Sequence, residues 1–252
     1  MSSPDPFEAV HGVSRRAVTA LHVTAAAMIV GFTSFVYHPV TRPATFLLMT
    51  DEQGPVELGT FAAFVAAGVL AWRLARVLGR RGERGTGRWY ATFAAFTWFA
   101  AAEEISWGQS LFDFRTPGWM WRFNEQGETN LHNIVGVMDF NSACVLAFAV
   151  LMLIGVRRGA REHTRARGVP PALAPLFVMI AVMGAIETFN DFVFLGYRPA
   201  ATIGALTEIV ELLGAVGCLA VVWLNGRMLR RTWVAEDATS GSRSADPLRQ
   251  AA

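Results

Sequence analysis

Long apolar runs, separated by short polar segments, repeat along the whole chain. A helix needs about 20 apolar residues to cross a hydrocarbon core of about 30 Å, and six stretches are long enough. They cover residues 18–37, 56–78, 89–112, 131–156, 171–195 and 202–224. The pattern therefore predicts an all-α fold, a polytopic membrane bundle of six transmembrane helices within residues 18–224.

Composition agrees with a membrane protein. Hydrophobic residues make up 53% of the 252 residues and charged residues only 17%, whereas soluble domains carry about 25% charge. The sequence has no GxGxxG, GxxxxGK[ST], HExxH or CxxC motif and no nucleic-acid-binding signature. A disordered chain, a disulfide scaffold and an ordinary soluble enzyme are thereby excluded. Cys144 and Cys218 lie in apolar runs, so we expect small buried side chains.

Arginines mark alternate ends of the predicted spans. All 22 basic residues are arginine, a usage that, with abundant alanine and glycine, suggests a GC-rich bacterial genome. They concentrate at residues 15–16, 73–88, 157–167 and 227–231, and the opposite connections hold only Arg42, Arg115, Arg122 and Arg198. The positive-inside rule then places both termini in the cytoplasm of a bacterial cell and the protein in its plasma membrane. Residues 1–17 form a cytoplasmic segment, residues 113–130 an outer loop, and residues 225–252 a disordered tail.

Polar residues lie in the outer halves of four predicted spans. Pairs of them are spaced i,i+3 or i,i+4, which places both members on one face of a helix. Glycine or alanine residues lie on the same helix faces. Small residues let helices approach closely in lipid, so we expect these polar residues to converge on one internal cavity. They are Glu103, Glu104, His132, Asp139, Glu187, Asn190, Asp191, Glu208 and Glu211.

Seven of these side chains are carboxylates, and one is an imidazole. A single ionised group at mid-membrane costs about 2.5–3.5 kcal/mol, so the seven must share protons or hold a cation. Such ligands suit Mg²⁺, Mn²⁺, Fe²⁺ or Zn²⁺. Neutral acids that join helices by hydrogen bonds are the simpler alternative. The expected catalytic residues, a subset of which would bind any divalent metal ion, are Glu104, His132, Asp139, Glu187, Asp191, Glu208 and Glu211.

The connection between the third and fourth spans is the second polar feature. Trp119, Trp121 and Phe123 predict a short helix at the membrane surface. Polar residues then alternate with period two from residue 124 to residue 132, which predicts an extended segment. This segment is expected to cap the cavity, although an ordinary polar loop is the alternative. The expected ligand-binding residues are Glu103, Gln126, Glu128, Asn130 and Asn190.

Two motifs, EEISWGQ at residues 103–109 and GETNLHN at residues 127–133, resemble a motif pair of uncharacterised bacterial multi-span membrane proteins. That resemblance covers roughly residues 89–140 and implies no established activity. The first motif also faintly resembles one of the CAAX-type intramembrane proteases, a glutamate pair followed by three residues and arginine. There one glutamate activates water beside two histidines. Here Glu103 and Glu104 match the pair, Gly108 stands at the arginine position, and His132 is the histidine available.

Intramembrane carboxylates beside a histidine favour an integral membrane enzyme that acts on a lipid-like substrate. An isoprenoid, a lipid headgroup or a lipid-linked sugar would enter from the outer leaflet. A protonated acid would donate a proton while an ionised partner accepts one, as in an acid-initiated isoprenoid cyclase, or a divalent ion would activate water. A proton- or cation-coupled transporter is one alternative, although the inner halves of the spans lack matching polar residues. A non-catalytic membrane scaffold is the other.

Overall fold

The computed structural model describes residues 5–37, 54–124, 127–131, 134, 141–193 and 197–244, and these residues are mainly helical. We number the α-helices in chain order. They are α1 (Pro6–His11), α2 (Arg15–Tyr37), α3 (Pro55–Arg80), α4 (Arg84–Glu104), α5 (Gln109–Phe112), α6 (Gly118–Trp121), α7 (Asn141–Gly159), α8 (Ala174–Val193) and α9 (Tyr197–Ser244). Short 3-10 turns cover Ser106–Gly108, Glu162–Arg167 and Pro171–Leu173.

Five segments within the described residues are helical, long and apolar enough to cross a membrane. They are Arg15–Phe35, Pro55–Arg80, Asn141–Gly159, Arg165–Asn190 and Leu206–Thr239. An all-helical, multi-pass membrane protein is therefore confirmed. The predicted third span falls on α4, which is not among the five. Arginines occupy the first turns of α4 and two glutamates its last turn, so its apolar part is short, and a sixth span stays a prediction.

The predicted third span also ends earlier than its apolar pattern indicated. A helix was expected to reach residue 112, but α4 ends at Glu104. Backbone φ angles are 47° at Ser106, 56° at Trp107 and 94° at Gly108, and a right-handed helix cannot continue through left-handed residues. The chain therefore changes direction directly after the glutamate pair.

The long helices form two hairpins. Helices α3 and α4 pack against each other, and Gly82 (φ 84°) supplies the left-handed turn between them. Helices α7 and α8 form the second pair. A Cβ atom added to Gly184 would lie 3.0 Å from the backbone nitrogen of Leu146. The expected close approach of helices at a small residue is therefore present at Gly184.

Helix α9 is the central element of the bundle. It packs against α3, α8, α2 and α1, and its residues Ile209, Cys218 and Val221 are fully buried. Leu212 lies near Gly59, and Gly226 lies near Leu74. Since both pairs advance together along the two helices, α3 and α9 run parallel.

Helix α9 continues to Ser244, which differs from the disordered tail expected over residues 225–252. Tertiary contacts account for the first part of the difference. The Arg81 guanidinium lies 4.9 Å from the centre of the Trp233 ring. It also lies 3.5 Å from a carboxylate oxygen of Glu236 and 3.7 Å from one of Asp237. Polar composition alone could not reveal these partners, because Arg81 is far away in sequence.

Charged residues collect at opposite ends of the bundle. At one end, which we call the arginine end, Arg227 donates hydrogen bonds to the carbonyl oxygens of His11 and Gly12, both at 3.0 Å. At the other, the glutamate end, Asn141 donates to Glu211 at 3.3 Å, and Thr207 donates to Glu187. The grouping of arginines at one end is what the positive-inside rule requires of a membrane protein.

Candidate functional site

A cavity of about 340 Å³ lies between the two hairpins. Aromatic rings from three helices form much of its wall, and the rings of Phe96 and Phe148 stack with centroids 6.1 Å apart. Its size falls within the usual range of about 300–1,000 Å³ for ligand pockets. The aromatic lining residues are Phe64, Phe96, Phe99 and Phe148.

The cavity is polar where α4 ends and α7 begins. Glu103, Glu104, Glu211 and Asn141 all line it. Phe148 lies two turns further along α7 than Asn141, at about 1.5 Å per residue. A ligand with a polar head and an apolar body would therefore find carboxylates at one end of the cavity and aromatic rings beyond them.

The cavity opens sideways between α4 and α7. Phe96 is 45% exposed and Phe99 is 47% exposed, and the Cys144 side chain is also exposed at the lining. Cys144 was expected to be buried, so that expectation is wrong, whereas Cys218 is buried as expected. Apolar exposed side chains on a membrane-spanning bundle face lipid tails, which gives the cavity a lateral entrance for an apolar ligand.

Several of the predicted glutamates come together at this end. Glu104 interacts electrostatically with Glu211, Glu208, Glu57 and Glu103. Glu208 interacts with four other glutamates, which are Glu211, Glu57, Glu187 and Glu128. Like charges repel more strongly in a low-dielectric environment than in water, so the grouping of these carboxylates is electrostatically costly.

Glu103 and Glu104 have different surroundings, although they are adjacent in sequence. Glu103 is buried and accepts hydrogen bonds from the backbone N–H of Leu131 at 2.7 Å and from the Trp107 indole. Glu103 is therefore joined by hydrogen bonds to the connection that follows α4. Glu104 interacts with Glu208 and Glu211 of α9.

The two sequence motifs form one hydrogen-bonded unit. The Ser106 hydroxyl donates to Glu128 at 3.1 Å, and the Asn130 amide donates to the Ser106 oxygen at 3.2 Å. The Gln109 side-chain oxygen accepts from the backbone N–H of Thr129 at 2.6 Å. The residue spacing within each motif is therefore explained by contacts with the other motif.

The loop places its polar residues differently from the expected cap. Glu128 and Asn130 are buried and bond within the connection between α4 and α7, whereas Leu131 is the residue that lines the cavity among the described part of this segment. An isolated antiparallel bridge joins Asn124 to Ile134. Helix α6 forms the predicted short helix, and Trp119 and its two aromatic neighbours at positions 121 and 123 are exposed.

Several predicted site residues are not described by the structure or do not line the cavity. Gln126, His132 and Asp139 fall outside the described residues, as does the side chain of Asp191 on α8. Asn190 is buried but does not line the cavity. Among the residues that are described, no three His, Cys, Asp or Glu side chains are arranged to hold a metal ion. A divalent metal therefore stays a prediction.

Sequence reasoning missed three residues of this region. Glu57 lies in the first turn of α3, where an acid ordinarily counts as an interfacial residue, yet it interacts with Glu104 and Glu208. Asn141 begins α7, and its amide was not recognised as a partner of Glu211. Ser106 carries no helical or strand pattern, and only its contact with the second motif reveals its role.

Comparison of the chain with protein-family models, with curated proteins and with solved structures found no match. Any functional conclusion therefore rests on the chemistry of the cavity itself.

Proposed function

We propose that the protein is an integral membrane enzyme that performs acid–base chemistry on a lipid-like substrate in this cavity. One observation carries the proposal: glutamates from α4 and α9 line one end of a laterally open, aromatic cavity. An apolar chain fits against Phe96, Phe99 and Phe148, which brings its reactive end toward Glu104 and Glu211. An isoprenoid is the substrate class that combines a long apolar body with a group that an acid can protonate.

The glutamate neighbours supply the two protonation states that the reaction needs. When two carboxyl groups lie close together, repulsion between their charges favours a state in which one is protonated and the other is ionised. The protonated carboxyl can then act as the general acid and the ionised one as the general base. Glu104 donates its proton to an alkene carbon or an epoxide oxygen of the substrate. The ionised Glu211 removes a proton from the resulting cationic product, and solvent returns the pair to its starting state.

The proposed enzyme has both termini in the cytoplasm and its glutamate end in the outer half of a bacterial plasma membrane. The arginine distribution supports this orientation, because arginines remain preferentially on the cytoplasmic side. The substrate then enters from the outer leaflet, between α4 and α7. Cysteine accessibility in intact cells tests the orientation, since an introduced Phe123→Cys in a Cys144→Ala background is expected to be labelled from the outside. Labelling only after the cells are opened would show that the protein has the opposite orientation in the membrane.

Substrate binding can be tested with the native thiol at the cavity. Cys144 is exposed at the lining, and Cys218 is buried, so a maleimide should modify Cys144 in the protein reconstituted in nanodiscs. We expect farnesol or geranylgeraniol to slow this modification at least tenfold, and Cys144→Ala to abolish it. Equal rates with and without either isoprenoid would contradict the proposed occupant of the cavity.

Deuterium transfer from solvent to the lipid tests the chemistry, whichever product forms. The reconstituted protein is incubated in D₂O with farnesol, geranylgeraniol or squalene, and the lipids are analysed by mass spectrometry. An acid that exchanges with solvent delivers deuterium to carbon, so deuterated or cyclised products are expected. The proposal fails if none of the three is altered, or if Glu104→Gln and Glu211→Gln leave the conversion unchanged.

Two other mechanisms predict different results in the same preparations. In a metal-assisted version, the purified protein contains stoichiometric divalent metal that Glu211→Gln removes. In a proton- or cation-coupled transporter, proteoliposomes show a flux that Glu104→Gln abolishes, and isoprenoids are not converted. A scaffold shows none of these activities.

A further inference from the structure

A second pocket, of about 200 Å³, lies between α3 and α9 at the arginine end. Each of the two parallel helices contributes one arginine and several apolar side chains, and the arginines are Arg73 of α3 and Arg230 of α9. This pocket does not share a lining residue with the glutamate cavity. Its chemistry is the opposite, because its charged lining residues are two arginines.

We propose that this pocket binds the phosphate of an anionic phospholipid of the cytoplasmic leaflet. Arg73 and Arg230 face it from different helices, and no described carboxylate forms an ion pair with either of them. Arg230 donates only a long hydrogen bond of 3.3 Å to the carbonyl of Gly226 in its own helix. Guanidinium groups recognise phosphate through paired N–H donors. Arg73 and Arg230 can therefore both donate to the phosphate of a headgroup.

The surroundings of the pocket favour a lipid. Leu70, Leu74 and Val222 provide an apolar surface beside the arginines, and an acyl chain can lie along them. Tryptophan rings, which favour the membrane–water boundary, flank the charged part. Basic pockets between transmembrane helices are a recognised form of anionic-lipid site.

Neighbouring cations strengthen the positive potential. The guanidinium of Arg227 lies 5.3 Å from the centre of the Trp223 ring, and its donors point to the backbone carbonyls of His11 and Gly12. Arg81 lies over the Trp233 ring, but Glu236 and Asp237 offset its charge. The net charge at the pocket therefore remains positive.

Native mass spectrometry of the full chain in detergent tests the site. The protein is titrated with phosphatidylglycerol and, separately, with phosphatidylcholine of the same acyl chains. We expect the unaltered protein to bind phosphatidylglycerol at least tenfold more tightly. The double variant Arg73→Gln/Arg230→Gln is expected to lose that preference. The double variant Arg73→Lys/Arg230→Lys is expected to keep part of it, because lysine retains the positive charge but lacks the paired N–H donors of a guanidinium group.

A matched control separates this pocket from general surface charge. Arg16→Gln/Arg76→Gln removes the same charge from two exposed arginines outside the pocket, and its preference should stay within twofold of the unaltered protein. An equal loss in the control overturns the proposal. So does displacement of phosphatidylglycerol by millimolar inorganic phosphate with no preference between the two lipids, because the pocket would then bind free phosphate.

Discussion

The two ends of the bundle treat charge in different ways. At the arginine end, exposed side chains donate to backbone carbonyls of another helix, as Arg231 does to Glu8 and Ala9. At the glutamate end, carboxylates such as Glu104 and Glu211 lie on helix faces around an internal cavity. Exposed charge is solvated and orients the protein, whereas charge inside a bundle is costly. A function of this protein must therefore account for the charge at the glutamate end.

The largest expected effect is a loss of catalysis at the glutamate end. Glu104→Gln removes the proposed acid, and general acid–base catalysis contributes typically about 10²–10⁴-fold. Deuterium incorporation into the isoprenoid product should therefore fall by at least about 100-fold. Thermal stability should stay close to that of the unaltered protein, because glutamine replaces a carboxyl group that is already uncharged in the proposed starting state. The matched control is Glu83→Gln, an exposed acid at the start of α4, which should retain full conversion.

The next largest effect is expected from a change in helix packing at the arginine end. A Cβ atom on Gly159 would lie 2.0 Å from the carbonyl oxygen of Val169, so Gly159→Ala forces the α7–α8 connection to move. Overpacking of this kind costs about 1–3 kcal/mol, which thermal unfolding in nanodiscs can measure. Gly79→Ala is the control, since no atom from another part of the described chain lies within 4 Å of that Cβ position. Equal melting temperatures for the two variants would contradict this packing.

A smaller loss of stability is expected at the glutamate end when the hydrogen bonds between the two motifs are removed. Ser106→Ala removes the hydroxyl that donates to the buried Glu128 and accepts from the buried Asn130, and the loss of a partner by a buried polar group costs about 1–3 kcal/mol. Residues 105–131 should become more sensitive to protease, while the other helices keep their protection. Ser34→Ala is the control because its exposed hydroxyl bonds only a carbonyl of its own helix, and protection of the loop should not change there.

The smallest effect is a dependence on pH at the arginine end. Burial lowers the pKa of His11 below its usual value, while its hydrogen bond to the Leu224 carbonyl opposes the shift and Arg165 adds to it. The unfolded segment then binds more protons than the docked one between the two pKa values, so stability rises with pH in that window. Docking of α1 should weaken as pH falls below about 6.5.

Hydrogen exchange of residues 5–14 at pH 7.5 and pH 5.5 measures this effect. Relative to the intrinsic exchange rate at each pH, these amides should be less protected at pH 5.5 than at pH 7.5 in the unaltered protein, and His11→Gln should remove most of the difference. The same loss of protection in His11→Gln would show that another group titrates.

Local patterns in the sequence were enough for the membrane class and for most of the spans. Glu208 and Glu211 could be placed on a common face because their spacing matches one helical turn. The end of the predicted third span could not be located, because the left-handed residues from Ser106 to Gly108 are held by contacts with the second motif. Glu57 was missed for a similar reason, since its partners lie on α4 and α9.

The sequence by itself determined that this chain forms apolar helices with carboxylates in several of them, because hydropathy and helical spacing are properties of neighbouring residues. Only the tertiary structure decided that Glu103 bonds the loop while Glu104 interacts with the glutamates of α9. It alone placed an aromatic cavity beside them. These contacts join segments distant in sequence, and the pairing of helices depends on side-chain packing that no local pattern encodes.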